Sequence, residues 1–299
     1  MQKSALIRGT AHVILFAGGL MMLYPLLYAL FGAMMDPFEY LRSSSLIPIP
    51  SHLNFYKFAE MVTYKDFPYW IRNTLFRITW YLVFMVVTSV VLGYFFAKGT
   101  FVGRKVCFYF ILSTMMIPSI TAMIPSYVMY ARWPWTGGND VFFGGHGLLN
   151  SWGVLLLPGL VSVMSLFLTK QMYDTLPGEY EESARMDGAS TYRIIFQIYA
   201  PMLKPVLAVI LITDFNGIWN DFMTNLIYTD NPGRNLTTIS YGMTKLPKLL
   251  SNIKLQENFV SDYPGIFAAA FMIVLPTITV YLLVQRHIVQ GLAMSGLKG

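Results

Sequence analysis

Six stretches of this chain, His12–Met34, Ile78–Ala97, Val106–Ala131, Gly147–Thr169, Pro205–Thr229 and Pro264–Gln285, are long and predominantly apolar, and five of them contain no Asp, Glu, Lys or Arg. A helix of about 20 such residues crosses the hydrocarbon core of a bilayer. Inside that core every backbone polar group must find its partner within the protein. The expected fold is therefore all-α: a polytopic membrane helical bundle with six transmembrane helices, forming one membrane domain over residues 1–299. The chain is 55% hydrophobic and only 12% charged, against about 25% charged in soluble domains, too little to cover a water-facing surface. The first stretch reads as a span, not a removed leader, because its apolar run is long and no small-residue cleavage site precedes Asp36-Pro37. Pro25, Pro118, Pro125, Pro158 and Pro276 fall inside spans, where a bundle can re-satisfy the freed backbone groups. The single cysteine, Cys107, lies in an apolar run and is expected to pack in the interior.

Six spans put both termini on one side. If that side is the cytosol, the inner segments are 1–11, 98–105, 170–204 and 286–299. They hold barely more than half of the 21 Lys and Arg, a weak bias by the positive-inside rule. Trp70, Trp133, Trp135 and Trp152 fall near the opposite ends, as an interfacial aromatic belt would. The net charge of +6 is small and scattered, so nucleic-acid binding is not implied. The outer connections, 35–71 and 230–263, are long enough to be functional. In the second, Lys245, Lys248 and Lys254 form either a solvated loop face or a basic cluster that would attract an acidic oligosaccharide.

One polar segment interrupts the apolar pattern between the fourth and fifth spans. Pro177-Gly178 ends the fourth. Glu179, Glu181 and Glu182 then open a helix, where acids complement the helix dipole, and Glu181–Arg185 is a favourable i,i+4 pair. Gly188 supplies a left-handed stop and Ser190 can cap a second helix. That helix places Tyr192, Ile195, Phe196 and Tyr199 on one apolar stripe before Pro201 ends it. Residues 178–201 thus read as a helical hairpin with a glycine corner at the membrane surface. By itself such a segment is as well explained as an interfacial connector.

The fifth span is the one that carries charge. At 100° per residue, Thr213, Asp214, Asn216, Asn220, Asp221, Thr224 and Asn225 share about half of the circumference, opposite Phe215, Ile218 and Trp219. A carboxylate at mid-bilayer costs about 2.5–3.5 kcal/mol. Two on one stripe argue for a water-filled path whose groups could bond sugar hydroxyls, or for hydrogen bonds between helices. Trp219, on the apolar side, is expected to pack.

The segment Glu182-x-Ala184-x3-Gly188-x9-Ile198-x-x-Pro201 resembles the EAA loop of permease subunits in binding-protein-dependent ABC importers. Asn73-Thr74, Gly93–Lys98, Pro118 with Pro125, Leu166–Leu168, Trp219–Phe222 and the tail Gly296–Gly299 are similar to the MalG-like carbohydrate branch. Ser183 and Ala200 depart from the usual alanine and leucine, and both keep the surface small or apolar. The resemblance implies a loop that faces the cytosol and docks on an ATPase, with Glu182, Ala184, Asp187 and Gly188 in coupling and Thr213, Asp214, Asn216, Asn220 and Asp221 on the path. It implies a bacterial inner-membrane, multi-pass subunit with both termini cytoplasmic, taking up a sugar or oligosaccharide by ATP-driven alternating access. The partners it implies are a second permease subunit, two ATPase subunits and an extracytoplasmic solute-binding protein, with membrane lipid around them and no nucleic acid.

The chain shows no nucleotide-binding motif. Gly99–Lys105 lacks P-loop spacing. His12, His52, His146 and His287 lack metal-ligand spacing, so no metal site is expected. No nucleophile–base constellation stands out. The expectation is a transport subunit, not an enzyme, that binds no cofactor itself and leaves ATP and Mg to partner ATPase subunits. An importer of an acidic oligosaccharide in the same family is the alternative. An ion-coupled secondary transporter fits less well, because charge is confined to one span and no inverted repeat is visible.

Overall fold

The structure is a computed structural model that describes residues 2–43, 45–134, 146–229, 236–251, 253–255 and 258–296. In chain order the helices are α1 (Gln2–Ala33), α2 (Pro37–Arg42), α3 (Tyr56–Thr63), α4 (Phe67–Lys98), α5 (Arg104–Ser113), α6 (Ser119–Ala131), α7 (Trp152–Leu156), α8 (Val163–Thr175) and α9 (Glu179–Met186). They continue as α10 (Thr191–Met202), α11 (Lys204–Trp219), α12 (Met223–Tyr228), α13 (Ile239–Leu249) and α14 (Tyr263–Gly296). Before α14, β1 (Ile253–Leu255) and β2 (Asn258–Val260) pair antiparallel. Trp135, the turn Asn231-Pro232-Gly233 and the tail Leu297–Gly299 lie outside the described residues.

The chain divides into two compact units, Met1–Pro68 with Gly242–Thr277, and Tyr69–Tyr241 with Ile278–Gly299. In the first, Gly32 lies so close to Phe267 that a Cβ would sit 2.7 Å from the ring, and Tyr28 and Tyr40 meet the same ring edge-on. Asp36 and Glu39 form a capping box on α2, in which each side chain satisfies a free amide at the helix start. Lys57 is buried on α3 and bonds Glu60 at 2.8 Å and Asp262. Burial works against its charge, but the bonds to Asp262 and Glu60 outweigh it and raise its pKa above the ordinary value. Asp262 also accepts from the Gly265 amide at 3.1 Å, capping α14.

Six continuous spans are not what the described residues contain. Three helices are long and apolar enough to cross a membrane: Gly9–Ala33, Phe67–Lys98 and Tyr263–Gln285. The expected third span is bent by 101° between Met116 and Ser119, and the fifth is joined at 80° to the helix before it. The first bend follows from chemistry. Pro118 drives Ile117 out of the helical region, to φ −81°, ψ 114°. Pro25, Pro125 and Pro276, by contrast, stay inside their helices.

The expected fourth span, Gly147–Thr169, is broken into α7 and the start of α8, with Gly159 at φ +79° in the gap. The carbonyls exposed by the break are satisfied by one face of α4. Arg77 Nε donates to Leu155 at 3.3 Å, Trp80 to Leu156 at 3.1 Å, Tyr81 to Pro158, and Thr88 to Leu160 at 3.1 Å. This is how irregular backbone survives at membrane depth. One further expectation fails: Cys107, on α5, is exposed and not packed inside. Trp70 is buried within the protein.

Candidate functional site

The polar segment folds as two helices about a tight corner. Gly188, at φ +78°, has open space around its missing Cβ, so backbone conformation alone demands glycine there. Ser190 caps the second helix through the Arg193 amide at 3.4 Å. Pro201 does not end that helix. Residues Ile194–Tyr199 widen to a π-helical turn, which accommodates the missing amide of Pro201, and the chain bends only at Leu203. Of the apolar stripe, Ile195 and Tyr199 are buried and Phe196 is half-buried, but Tyr192 is exposed.

The first helix is fastened to α4. Tyr94 donates to Glu181 at 2.7 Å, and Arg185 bonds both Glu181 at 2.8 Å and Tyr94 at 3.2 Å. Glu181 and then Tyr94 hold the pKa of Arg185 above its ordinary value. Lys98, at the end of α4, donates to the Leu176 carbonyl at 2.8 Å, where α8 stops. Beneath lies a core of Val90, Tyr94, Tyr173, Ala184, Ile194, Ile195, Tyr199 and Leu203. Ala184 is therefore the inward face of the hairpin, whereas Glu182, Asp187 and Gly188 are exposed at its corner. Gly93 allows the approach of α8: a Cβ there would sit 2.8 Å from Thr169 Cγ2 and 3.3 Å from Tyr173.

The polar stripe of the fifth span does not exist as drawn on a continuous wheel, because α11 ends at Trp219 and the chain turns through Asn220–Phe222 before α12. Asp214 is half-buried and accepts from Ser165 on α8 at 2.9 Å. Asn216 is half-buried, while Thr213 and Asn220 are exposed and back-bond to Val209 and Asn216. Asp221 leaves the stripe to pair with Arg77 at 2.6 Å and to accept from the Thr224 amide at 3.1 Å. Asn225, fully buried, bonds Leu236 and Thr238. Asn73 and Thr74 hold the same stretch through Thr237 and Ile239. Trp219 is buried and stacks on Phe215.

Arg77, Ser165 and Tyr94 are the partners that sequence reasoning missed. Arg77 lies one residue outside an apolar window, and an arginine at that position could have been matched to the intramembrane aspartates. Of the three lysines in the 230–263 connection, Lys248 is exposed and Lys245 half-buried, and the Lys254 side chain lies outside what the structure describes.

A family model described as the binding-protein-dependent transport system inner membrane component matches residues 89–294. The chain is 30% identical over 299 residues to the galactooligosaccharides transport system permease protein GanQ of Bacillus subtilis, covering 97% of this chain and 95% of the relative. It is 26% identical to the arabinooligosaccharides transport system permease protein AraQ of the same organism, over 94% and 92% of the two chains. Among solved structures it is similar to a bacterial ABC transporter involved in import of the acidic polysaccharide alginate, with TM-score 0.79 at 22% identity, covering 96% of this chain and 98% of that one. That likeness concerns the fold.

Proposed function

Since the chain belongs to the binding-protein-dependent transport system inner membrane components, we propose that it forms part of the membrane passage of a sugar or oligosaccharide importer and receives its driving force through the 178–201 hairpin. The permease role rests on the family and on carbohydrate permease relatives that match almost end to end. The hairpin faces the cytosol in this reading, which puts both termini there. Two ATPase subunits bind and hydrolyse ATP with Mg, a second permease subunit completes the passage, and an extracytoplasmic protein delivers the solute.

The observation that carries the coupling role is the division of the hairpin into two faces. Glu182, Asp187 and Gly188 are exposed at the corner, free to meet another protein. Ala184 and the Tyr94–Glu181–Arg185 bonds tie the other face to α4. A push on the corner is thus borne by a membrane helix. Within the passage, Asp214 and Asn216 are the half-buried polar groups of α11, and Thr213 and Asn220 are exposed beside them.

Gentle solubilisation and co-purification of the whole complex tests this. The wild-type chain should bring down its ATPase. Glu182→Lys and Gly188→Pro should lose most of it, and Gly188→Ala, whose left-handed backbone costs only about 1–2 kcal/mol, should retain more than the proline variant. Recovery of no ATPase by the wild type, or recovery indifferent to Glu182→Lys and Gly188→Pro, refutes the coupling role.

A further inference from the structure

Two of the backbone breaks border one cavity. The turn at Ile117-Pro118 leads into Ser119 and Ile120, and the turn at Asn220–Phe222 supplies Asp221 and leads into Met223 and Thr224. Between α6 and α12 these residues line an open cleft of about 370 Å³, within the usual small-molecule range of about 300–1,000 Å³. Its polar lining is four hydroxyls and a carboxylate: Ser119, Ser126, Thr224, Tyr228 and Asp221. The remainder is apolar side chains such as Met123 and Ile227. Irregular backbone at membrane depth is tolerated only where protein buries it or where it lines a water-filled cavity. Two breaks and five polar side chains around one open space favour the latter.

The charge of the lining is specific. Among the described residues, no Lys, Arg or His lines the cavity. Arg77 approaches Asp221, but its side chain is only 5% exposed, against 21% for Asp221; its Nη2 and Nε are engaged with Asp221 and the Leu155 carbonyl, and its Nη1 is buried. A guest therefore meets the carboxylate and not the cation that neutralises it. Sugar hydroxyls can donate to Asp221 and exchange bonds with the four hydroxyls. A second carboxylate would meet an acceptor that has no proton to give.

Building on the permease reading above, we propose that this cavity is a subsite for an uncharged glycosyl unit of the transported solute, with Ser126, Thr224 and Tyr228 as hydroxyl partners and Asp221 as the group that excludes uronates. The acidic-oligosaccharide alternative is disfavoured at this site even though the fold is shared with an alginate importer.

The single cysteine makes the test direct. Ser126→Cys and Thr224→Cys are placed separately in a Cys107→Ser chain, assembled with its partner subunits in proteoliposomes and treated with a small water-soluble thiol reagent. Labelling is read by mass on this chain. Galactooligosaccharide, arabinooligosaccharide and maltodextrin serve as neutral probes and an alginate oligomer as the acidic one, each with ATP and the solute-binding protein. Both cysteines should label, and at least one neutral probe should suppress labelling while the alginate oligomer does not. Absence of labelling at both positions, as when a partner subunit or lipid fills the space, overturns the proposal. So does labelling that no neutral probe suppresses, or equal suppression by the alginate oligomer. ATP-dependent uptake by the unsubstituted complex is measured in parallel. Its absence refutes the permease reading itself, whereas uptake without protection refutes the cavity alone.

Discussion

Deleting both partners of the Arg77–Asp221 pair should cost clearly less than the two single deletions combined. Arg77 is buried and bonds Asp221 at 2.6 Å and the Leu155 carbonyl at 3.3 Å. Arg77→Met leaves the largely buried Asp221 carboxylate without its cation. Removing one partner of a buried pair costs about 3–5 kcal/mol, and the lower end applies here because Asp221 is a fifth exposed. Asp221→Leu strands the guanidinium, which is more deeply buried, and also removes the acceptor for the Thr224 amide, adding about 1 kcal/mol for a lost cap. Neither charge is stranded in the double variant Arg77→Met/Asp221→Leu. Its cost should fall short of the two single costs combined by about 2–3 kcal/mol. Unfolding by SDS titration in mixed micelles, run as a double-mutant cycle, measures the difference. Additivity within about 0.5 kcal/mol would mean that the charges do not stabilise one another and would sink the argument.

Two further outcomes follow from local geometry. Gly93→Ala drives a Cβ to 2.8 Å from Thr169 Cγ2, an overpacking cost of about 1–3 kcal/mol. Thr169→Ala removes that methyl together with a buried hydroxyl that has no partner, so it should restore much of the lost heat resistance of the purified chain, and failure to rescue would contradict the packing account. In the first unit, the Ser51 amide, bonded to Glu39 at 2.8 Å, holds the Glu39 carboxyl below its ordinary value of 4.5. A depressed carboxylate stabilises above its unfolded pKa, and the contribution is lost as pH falls through the folded value. Hydrogen-exchange protection of the Ser51 amide, corrected for intrinsic rates, should drop once pH falls below 4.5, and Glu39→Gln should flatten that profile.

Much of the fold is legible in hydropathy, because α1, α4 and α14 are each a single apolar run whose backbone satisfies itself. The rest is not, and the reason is specific. A window counts side chains and cannot see where a helix is interrupted. Pro125 and Pro118 look alike in sequence, but one sits inside α6 and the other precedes it. The break near Gly159 is viable because Arg77, Trp80, Tyr81 and Thr88, some seventy residues earlier in the chain, cap its carbonyls. The hairpin was readable for the opposite reason. Its caps, its i,i+4 pair and its glycine corner are local, so spacing alone encodes them. The polar stripe fails beyond Trp219 because a helical wheel assumes the continuity that Asn220–Phe222 destroys.

These contacts give α4 a double role. Near its C-terminal end Val90, Tyr94 and Lys98 hold the hairpin and the end of α8. Further along, Arg77 holds Asp221 at the cavity, and the face from Arg77 to Thr88 holds the interrupted fourth segment. Seventeen residues separate Arg77 from Tyr94, about 25 Å along a helix that rises 1.5 Å per residue. A single helix therefore bonds both sites. If the hairpin couples as proposed, its displacement need not pass through a relay of side chains: a tilt of α4 would move Tyr94 and Arg77 together, and with Arg77 the carboxylate that lines the cavity. The hydrogen bonds at the two sites are then the couplings whose loss should uncouple hairpin from cavity while leaving each intact, which distinguishes a rigid lever from a diffuse loosening of the bundle.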